Sequence, residues 1–264
     1  MIVHCCLPPL ALAQVQRALP PPHRVSSSPD WDVVVARLRD RACDLVIVDP
    51  GVSGDRSAPD RLAALGAAVS NAHTTPILGY VSVTAGSVRA AHALARLGAS
   101  DIVVRGVDDS PDAMAATIRR VVTDHAASRL VTAATGGFAS LPTPIATAIT
   151  MLFRRPELTR SVSDLARTAG TTRRSLDRHL ARAGLAPARV LLACARTNAA
   201  YHLLAAGAVR PAVAASLVGY GSPRALTREF RMLTGHVPSA VPGRLTSELF
   251  TATVSRRLTR SSPP

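Results

Sequence analysis

One sequence pattern occurs twice between residues 161 and 242, and it constrains the fold more than any other feature. Ala166 precedes Gly170 by four residues in the first copy, and Ala215 precedes Gly219 in the same way in the second. A small Ala lets another helix cross close by, and a Gly after a helix adopts the left-handed conformation of a sharp turn. Each copy is therefore predicted to be two helices joined by a tight turn.

The second helix of each copy has a capping signal and an arginine-rich face. Thr172 is expected to cap a helix over Arg173–Arg182, and Ser222 is expected to cap one over Pro223–Leu233. At about 100° per residue, the leucine and phenylalanine side chains of these helices face inward and the arginine side chains face outward. This is the arrangement of a helix-turn-helix, whose arginines can reach guanine edges or phosphates in the major groove. The predicted DNA-binding residues are Thr172, Arg173, Arg174, Asp177, Arg178, Ser222, Arg224, Thr227, Arg228 and Arg231.

Further matches follow one another along the same region. The matching segments are LA-x3-G-x5-L-x-R (Leu165–Arg178), G-L-x-P (Gly184–Pro187), A-x3-GY (Ala215–Tyr220), L-x-REFR (Leu226–Arg231) and TG-x-x-P (Thr234–Pro238). Together they resemble the double helix-turn-helix DNA-binding domain of AraC/XylS-type transcription regulators. The resemblance implies a bacterial regulator that binds promoter or operator DNA and can contact RNA polymerase. Pro211 and Ala214 stand where that family usually has bulky aliphatic residues, so the first motif is expected to dominate base recognition.

The excess positive charge of the chain lies almost entirely in the same half. Residues 1–130 contain 13 Arg and 12 Asp, whereas residues 131–264 contain 18 Arg and five acidic residues. A field of this sign attracts a polyanion, and nucleic acid is favoured over a membrane. A nucleoid-type protein that binds DNA by charge alone is an alternative that the composition leaves open.

Strands and helices alternate through the first half of the chain. The predicted strands are Met1–Cys6, His23–Ser27, Leu45–Asp49, Ile77–Ser82 and Ile102–Val104. The predicted helices are Leu10–Leu19, Asp32–Arg41, Pro59–Asn71, Ser87–Leu97 and Pro111–Ser128. Five successive strand–helix units predict a doubly wound α/β domain with a parallel sheet, and we expect the flavodoxin-like strand order.

This half resembles bacterial response-regulator receiver domains. The matching segments are DLVIVDP (Asp44–Pro50), TPILGYVS (Thr75–Ser82) and LGASDIVVRG (Leu97–Gly106). The resemblance places Asp49 at the phosphoacceptor position. Cys5 and Cys6 replace the paired acids of the family, however, and Arg105 replaces its lysine. We therefore expect Asp49 to be vestigial and its carboxylate to cap the next turn. A two-component regulator phosphorylated on Asp49 is the alternative.

These patterns predict two domains and exclude most enzymatic chemistry. The expected organisation is a receiver-like domain at 1–128, a linker at 129–143, an AraC-type domain at 144–242 and a basic flexible tail at 243–264. The sequence lacks lysine, and we find no metal-ligand spacing, cofactor motif or catalytic residue set in it. We expect a cytoplasmic DNA-binding regulator that is not an enzyme, crosses no membrane and can form a homodimer through its N-terminal domain.

Overall fold

The chain divides into two compact units, Met1–His125 and Ala126–Pro264, here called the first and the second unit. The computed structural model describes residues 1–40, 42–51, 62–67, 75–133, 138–205, 207, 209–241 and 245–259.

The first unit is a parallel sheet with helices on both faces. Its elements are β1 (Ile2–Cys6), α1 (Pro9–Ala18), β2 (Arg24–Ser27), α2 (Trp31–Arg39), β3 (Leu45–Val48), α3 (62–67), β4 (Ile77–Val81), α4 (Ala85–Arg96), β5 (Asp101–Val104) and the first part of α5 (Pro111–Ala133), a helix that continues past His125 into the second unit. The strand order is β2-β1-β3-β4-β5, with every neighbouring pair parallel. The doubly wound, flavodoxin-like fold predicted from the sequence is confirmed. Of the predicted helix Pro59–Asn71, the part outside α3 lies beyond the described residues.

Strand β3 shows why the sheet is covered on both faces. All four of its side chains, Leu-Val-Ile-Val, are 0 % exposed. Leu45 and Ile47 pack with α1 and α5 on one face, while Val46 and Val48 pack with α2 and α4 on the other. A continuous apolar run is what a central parallel strand requires, because helices remove both of its faces from water.

In its described part the second unit consists of helices and their connections, with one isolated antiparallel bridge between Leu185 and Thr259. Its helices are α6 (Thr143–Arg154), α7 (Val162–Thr168), α8 (Arg173–Arg182), α9 (Ala188–Ala205), α10 (Pro211–Leu217), α11 (Pro223–Thr234) and α12 (Ser247–Leu258), with short 3₁₀ turns at Pro156–Leu158 and Pro238–Ala240. Helix α9 joins the two repeated motifs and supplies much of the core, including the buried residues Leu191, Tyr201 and Leu204.

Two predictions are wrong, one about the linker between the domains and one about the C-terminal tail. The linker expected at 129–143 begins as helix, because α5 continues to Ala133 and Leu130 is buried in the core of the second unit. The tail expected to be flexible from residue 243 contains α12. Its residues Phe250, Val254 and Leu258 recur every four positions, form one apolar stripe and are 0 % exposed.

The four cysteines are buried thiols. Burial raises the pKa of both Cys5 and Cys194 to about 12 and that of Cys43 to about 11. Thiols in this range stay protonated at neutral pH, and only a thiolate is an effective metal ligand or nucleophile. Within the described ranges, no group of three or more His, Cys, Asp or Glu is placed to hold a metal ion. None of the described helices combines the length and the apolar character needed to cross a bilayer.

Candidate nucleic-acid interface

The two repeated motifs turn with the same backbone geometry. Gly170 and Gly219 have positive φ angles of 62° and 83°. In both motifs the residue after the glycine donates its N–H to an alanine carbonyl, that of Ala166 or Ala215, at 2.9 Å. This hydrogen bond and the one from the glycine N–H itself form a Schellman motif, which ends the first helix and redirects the chain. Each predicted pair of helices is therefore joined by the tight turn that its sequence indicates.

The predicted capping residues begin the second helix of each motif. The Thr172 hydroxyl accepts a hydrogen bond from the Ser175 N–H at 3.2 Å, and the Ser222 hydroxyl accepts one from the Ala225 N–H at 3.3 Å. Pro223 occupies the first turn of α11, where its missing N–H has no cost. Both caps are exposed, so the positive ends of α8 and α11 face solvent and favour anions such as phosphate.

Each of these helices separates an apolar inner side from a basic outer side. The inner side chains are Leu176 and Leu180 on α8 and Leu226 and Phe230 on α11, all 0 % exposed. The exposed arginines are Arg173, Arg174, Arg178 and Arg182 on α8 and Arg224, Arg228 and Arg231 on α11. Within the described part of the chain, the guanidinium groups of Arg174, Arg224, Arg228 and Arg231 form no hydrogen bond or ion pair. These charges are available to an external anion.

A surface groove follows the outer side of α11. It is lined by Pro223, Arg224, Thr227, Arg228, Arg231 and Met232. The Thr227 hydroxyl donates to the Pro223 carbonyl at 3.0 Å, which leaves its oxygen able to accept a hydrogen bond. Met232 is 63 % exposed and was not among the predicted DNA-binding residues. Its distance of four residues from Arg228 places it on the same face, a spacing that the sequence already contained.

The acidic residues of α8 and α11 point away from the outer side. The Asp177 carboxylate accepts a hydrogen bond from the Ala188 N–H at 2.9 Å, at the start of α9. The Glu229 carboxylate accepts one from the Tyr220 hydroxyl at 2.9 Å. The contact of Asp177 holds α8 against α9, and we therefore expect this predicted DNA-binding residue to contact the protein and not DNA.

Arg196 on α9 is a structural arginine that the sequence did not distinguish from the others. One nitrogen of its guanidinium donates to the carbonyls of Thr159 and Arg160, both at 2.9 Å. The guanidinium also lies 5.5 Å from the centre of the Tyr220 ring, in cation–π contact. It therefore ties the segment before α7 to the second motif. Its position among buried residues of α9 is the signal that could have identified it.

The second predicted site is the carboxyl edge of the sheet around Asp49. This carboxylate is 9 % exposed and accepts a hydrogen bond from the Gly51 N–H at 2.7 Å, so the predicted capping role is confirmed. Burial raises the pKa of Asp49, while the Gly51 hydrogen bond and the positive charge of Arg105 oppose that rise. Among the described residues, no hydrogen bond or ion pair joins Asp49 to Arg105.

A neighbouring contact at this edge was not predicted. The Tyr80 hydroxyl on β4 donates to the Asp109 carboxylate at 2.6 Å, and the other oxygen of Asp109 accepts from the Gly106 N–H at 2.9 Å. The hydroxyl of Tyr80 is the main reason why the pKa of Asp109 is lowered. The edge of the sheet is therefore occupied by internal hydrogen bonds of the loop after β5.

Comparison with known proteins gives a family match for part of the chain. Residues 165–243 match a helix-turn-helix domain family. These residues therefore form a helix-turn-helix domain, similar to the AraC-type domain whose motifs the sequence contains. The match begins within α7, covers α8 to α11 and ends before α12.

Similarity to solved structures is weak. NtrX from Brucella abortus is 19 % identical with a TM-score of 0.43, and the match covers 66 % of this chain and 41 % of the NtrX chain. Full-length FixJ from B. japonicum is 17 % identical with a TM-score of 0.41, and the match covers 88 % of this chain and 97 % of the FixJ chain. At these scores neither similarity carries an argument. No curated protein matches the chain.

Proposed function

We propose that the chain is a transcription regulator that recognises specific double-stranded DNA with α8 and α11 in successive major grooves. The observation that carries this proposal is the repeated geometry: two capped helices with the same turn, outward arginines and inward acids. Two such helices joined by α9 suit grooves about 34 Å apart on one face of the duplex. The bound site should then be two short elements about one helical turn apart, in direct and not palindromic order.

The side chains divide into base-recognition and backbone-binding roles. Arg174 and Arg178 on α8, like Arg224 and Arg228 on α11, lie one turn apart near the start of their helix, where side chains enter the groove. An arginine there can form two hydrogen bonds with the edge of a guanine. The capping residues Thr172 and Ser222, with Arg173, Thr227 and Arg231, are assigned to phosphate and sugar contacts, which orient the protein on the duplex.

Selection from a pool of random duplexes tests this proposal. We expect an enriched motif of two elements, bound about a thousandfold more tightly than random DNA. Arg178→Ala should weaken binding by about 1–3 kcal/mol and relax the base preference at one position. Arg39→Ala is the matched control, because it removes the same exposed charge from the first unit. Recovery of no motif, with affinity that depends on salt alone, would favour the nucleoid-type alternative.

For the first unit, we propose a receiver-like regulatory or dimerisation domain in which Asp49 is not a phosphorylation switch. Phosphoryl transfer to a carboxylate needs Mg²⁺, which prefers oxygen ligands and especially carboxylates. The residues at the expected site do not fit this ion. Cys5 and Cys6 are 0 % exposed, and the raised pKa of Cys5 keeps its sulfur protonated. One carboxylate oxygen of Asp49 already accepts a hydrogen bond from the Gly51 N–H.

Incubation with acetyl phosphate and Mg²⁺ separates this proposal from the two-component alternative. We expect the intact mass of the protein to stay unchanged, as it should in Asp49→Asn. Stoichiometric addition of one phosphoryl group that is sensitive to hydroxylamine, is absent in Asp49→Asn and tightens DNA binding would establish the alternative.

A further inference from the structure

The first turns of helix α12 contact the second motif. The Phe250 ring lies 6.2 Å from the Phe230 ring of α11, with 29° between the ring planes. It also stacks on Tyr201 of α9, with ring centres 4.0 Å apart and planes 9° apart. The Tyr201 hydroxyl donates to the Leu245 carbonyl just before α12, at 2.9 Å. The start of α12 is therefore fixed to both the recognition helix α11 and the connecting helix α9.

The other end of α12 contacts the segment directly after the first motif, where the Leu185 N–H donates to the Leu180 carbonyl of α8 at 2.9 Å. The Leu258 carbonyl accepts a hydrogen bond from the Ala186 N–H at 2.8 Å, and Thr259 forms an antiparallel bridge with Leu185. Leu185 lies three residues after the end of the recognition helix α8 and is 0 % exposed, as is Leu258. Twelve residues of helix are about 18 Å long, so α12 extends from one motif to the other.

We propose that α12 is a second connection between the two helix-turn-helix motifs and fixes the half-site spacing that α8 and α11 can recognise. With α9 alone, bending or rotation of one helix would change the separation of the recognition helices. A second helix attached to both motifs opposes such movement. This role rests on the proposed function, since it assumes that both recognition helices contact one duplex.

The consequence is a strict dependence on the distance between the two DNA elements. One inserted base pair moves the second element by about 3.4 Å along the duplex and rotates it by about 35°. Two rigidly connected helices cannot follow both changes, so the contacts of one motif are lost. We expect the wild-type chain to bind its selected site roughly 30-fold more tightly than the same site with one base pair inserted or removed.

The test measures affinity for the selected site at its own spacing and with one base pair inserted or removed. Leu258→Ala removes the buried side chain at the end attached to the first motif, and we expect the preference for spacing to fall below about fivefold. The base preference within each element should remain. Leu258→Met fills most of the same space and should retain the wild-type preference. Leu152→Ala is the control, because it opens a cavity on α6 in the same core.

A second variant covers the case in which Leu258→Ala does not fold. Phe250→Leu keeps an apolar side chain but loses the ring contacts with Phe230 and Tyr201, and it should also weaken the spacing preference. If Leu258→Ala and Phe250→Leu only lower all affinities by one factor, as Leu152→Ala should, α12 is ordinary core and the inference is wrong. It is also wrong if the wild-type chain binds all spacings equally, although the proposed function would then stand. Recovery of no DNA motif would instead contradict the proposed function itself.

Discussion

The two units of this chain differ in their balance of charge: residues 1–130 contain 13 Arg and 12 Asp, whereas residues 131–264 contain 18 Arg and five acidic residues. In the first unit, acidic groups meet internal partners: Asp101 pairs with Arg120, and Asp109 accepts from Tyr80. In the second unit, the acids of the recognition helices also face the protein, but the neighbouring arginines do not. Among the described residues, no carboxylate pairs with the exposed arginines of α8 and α11.

Both the excess of arginine over acidic residues and the absence of an opposite charge beside an exposed arginine determine which surface can bind an anion. An exposed internal ion pair contributes little to stability and leaves little net field. An arginine whose neighbouring acids are occupied elsewhere contributes its full charge to the surface potential. The surplus of exposed arginines in the second unit therefore suits a polyanion. Four predictions test this contrast, in order of decreasing effect.

The largest effect is expected from Phe250→Ala, which tests whether the two units have separate cores. Loss of a buried aromatic ring should lower the free energy of unfolding of the second unit by about 3–5 kcal/mol. The only tryptophan of the chain, Trp31, is buried in the first unit, so its fluorescence reports on that unit. In urea, far-UV circular dichroism should lose helix earlier while the Trp31 transition keeps its midpoint. A parallel shift of both signals would show that the units unfold together.

The second effect is an unequal loss from Arg174→Ala and Arg224→Ala. Each should cost about 1–3 kcal/mol in specific DNA binding, and the loss from Arg174 should be larger. The reason is that α10, which supports α11, packs less of its apolar surface: Val213 and Leu217 are 48 % and 50 % exposed. Footprints of both variants on the selected site give the measurement. A greater loss of specificity from Arg224→Ala would reverse the assignment of the dominant motif.

A third prediction concerns Asp177, whose carboxylate is assigned to the protein and not to DNA. Asp177→Ala should lower the free energy of unfolding of the second unit by about 0.5–2 kcal/mol, because the Ala188 N–H at the start of α9 loses its acceptor. Asp177→Asn keeps an acceptor and should restore most of that stability. Base preference, determined by repeating the duplex selection, should not change. A changed preference at a cytosine would show that Asp177 contacts DNA after all.

The smallest effect is expected at Asp49. Its folded-state pKa is raised by burial, so the folded protein binds this proton more tightly than the unfolded chain does. The wild-type first unit therefore loses stability as the pH rises through that pKa. Asp49→Asn keeps an acceptor for the Gly51 N–H and should gain less than about 1 kcal/mol at neutral pH. This gain should shrink as the pH falls through the pKa, measured by Trp31 fluorescence in urea. A loss at neutral pH would mean that attraction to Arg105 outweighs the cost of burial.

Much of the fold was predictable because its signals are local. Caps, glycines and periodic apolar residues specified the helix Arg173–Arg182 with the bounds that the structure has, and the apolar run of β3 specified a central strand. The same local patterns identified the outward arginines. What could not be predicted were partners far apart in the chain, such as Tyr80 and Asp109, because only the tertiary structure brings them together.

Helix α12 is a different case, because its signal was present. Phe250, Val254 and Leu258 recur every four residues, and Thr246 caps the helix by accepting from the Leu249 N–H at 3.3 Å. The arginines Arg256 and Arg257 and the position near the end of the chain suggested a solvated tail instead. A terminal segment with an apolar stripe has to be weighed as part of the core, even when its other residues are basic.

Because the thiols are buried, the rate at which they are chemically modified depends on how often the protein around them opens. Cys5, Cys6 and Cys43 belong to the first unit and Cys194 to the second. A buried thiol with a pKa of about 12, such as Cys5 or Cys194, reacts with an alkylating agent only when its surroundings open and water reaches it. The rate at which each cysteine is modified therefore measures how often its unit opens, without any substitution. In a cell, the oxidation of these sulfurs would record the time that each unit spends unfolded.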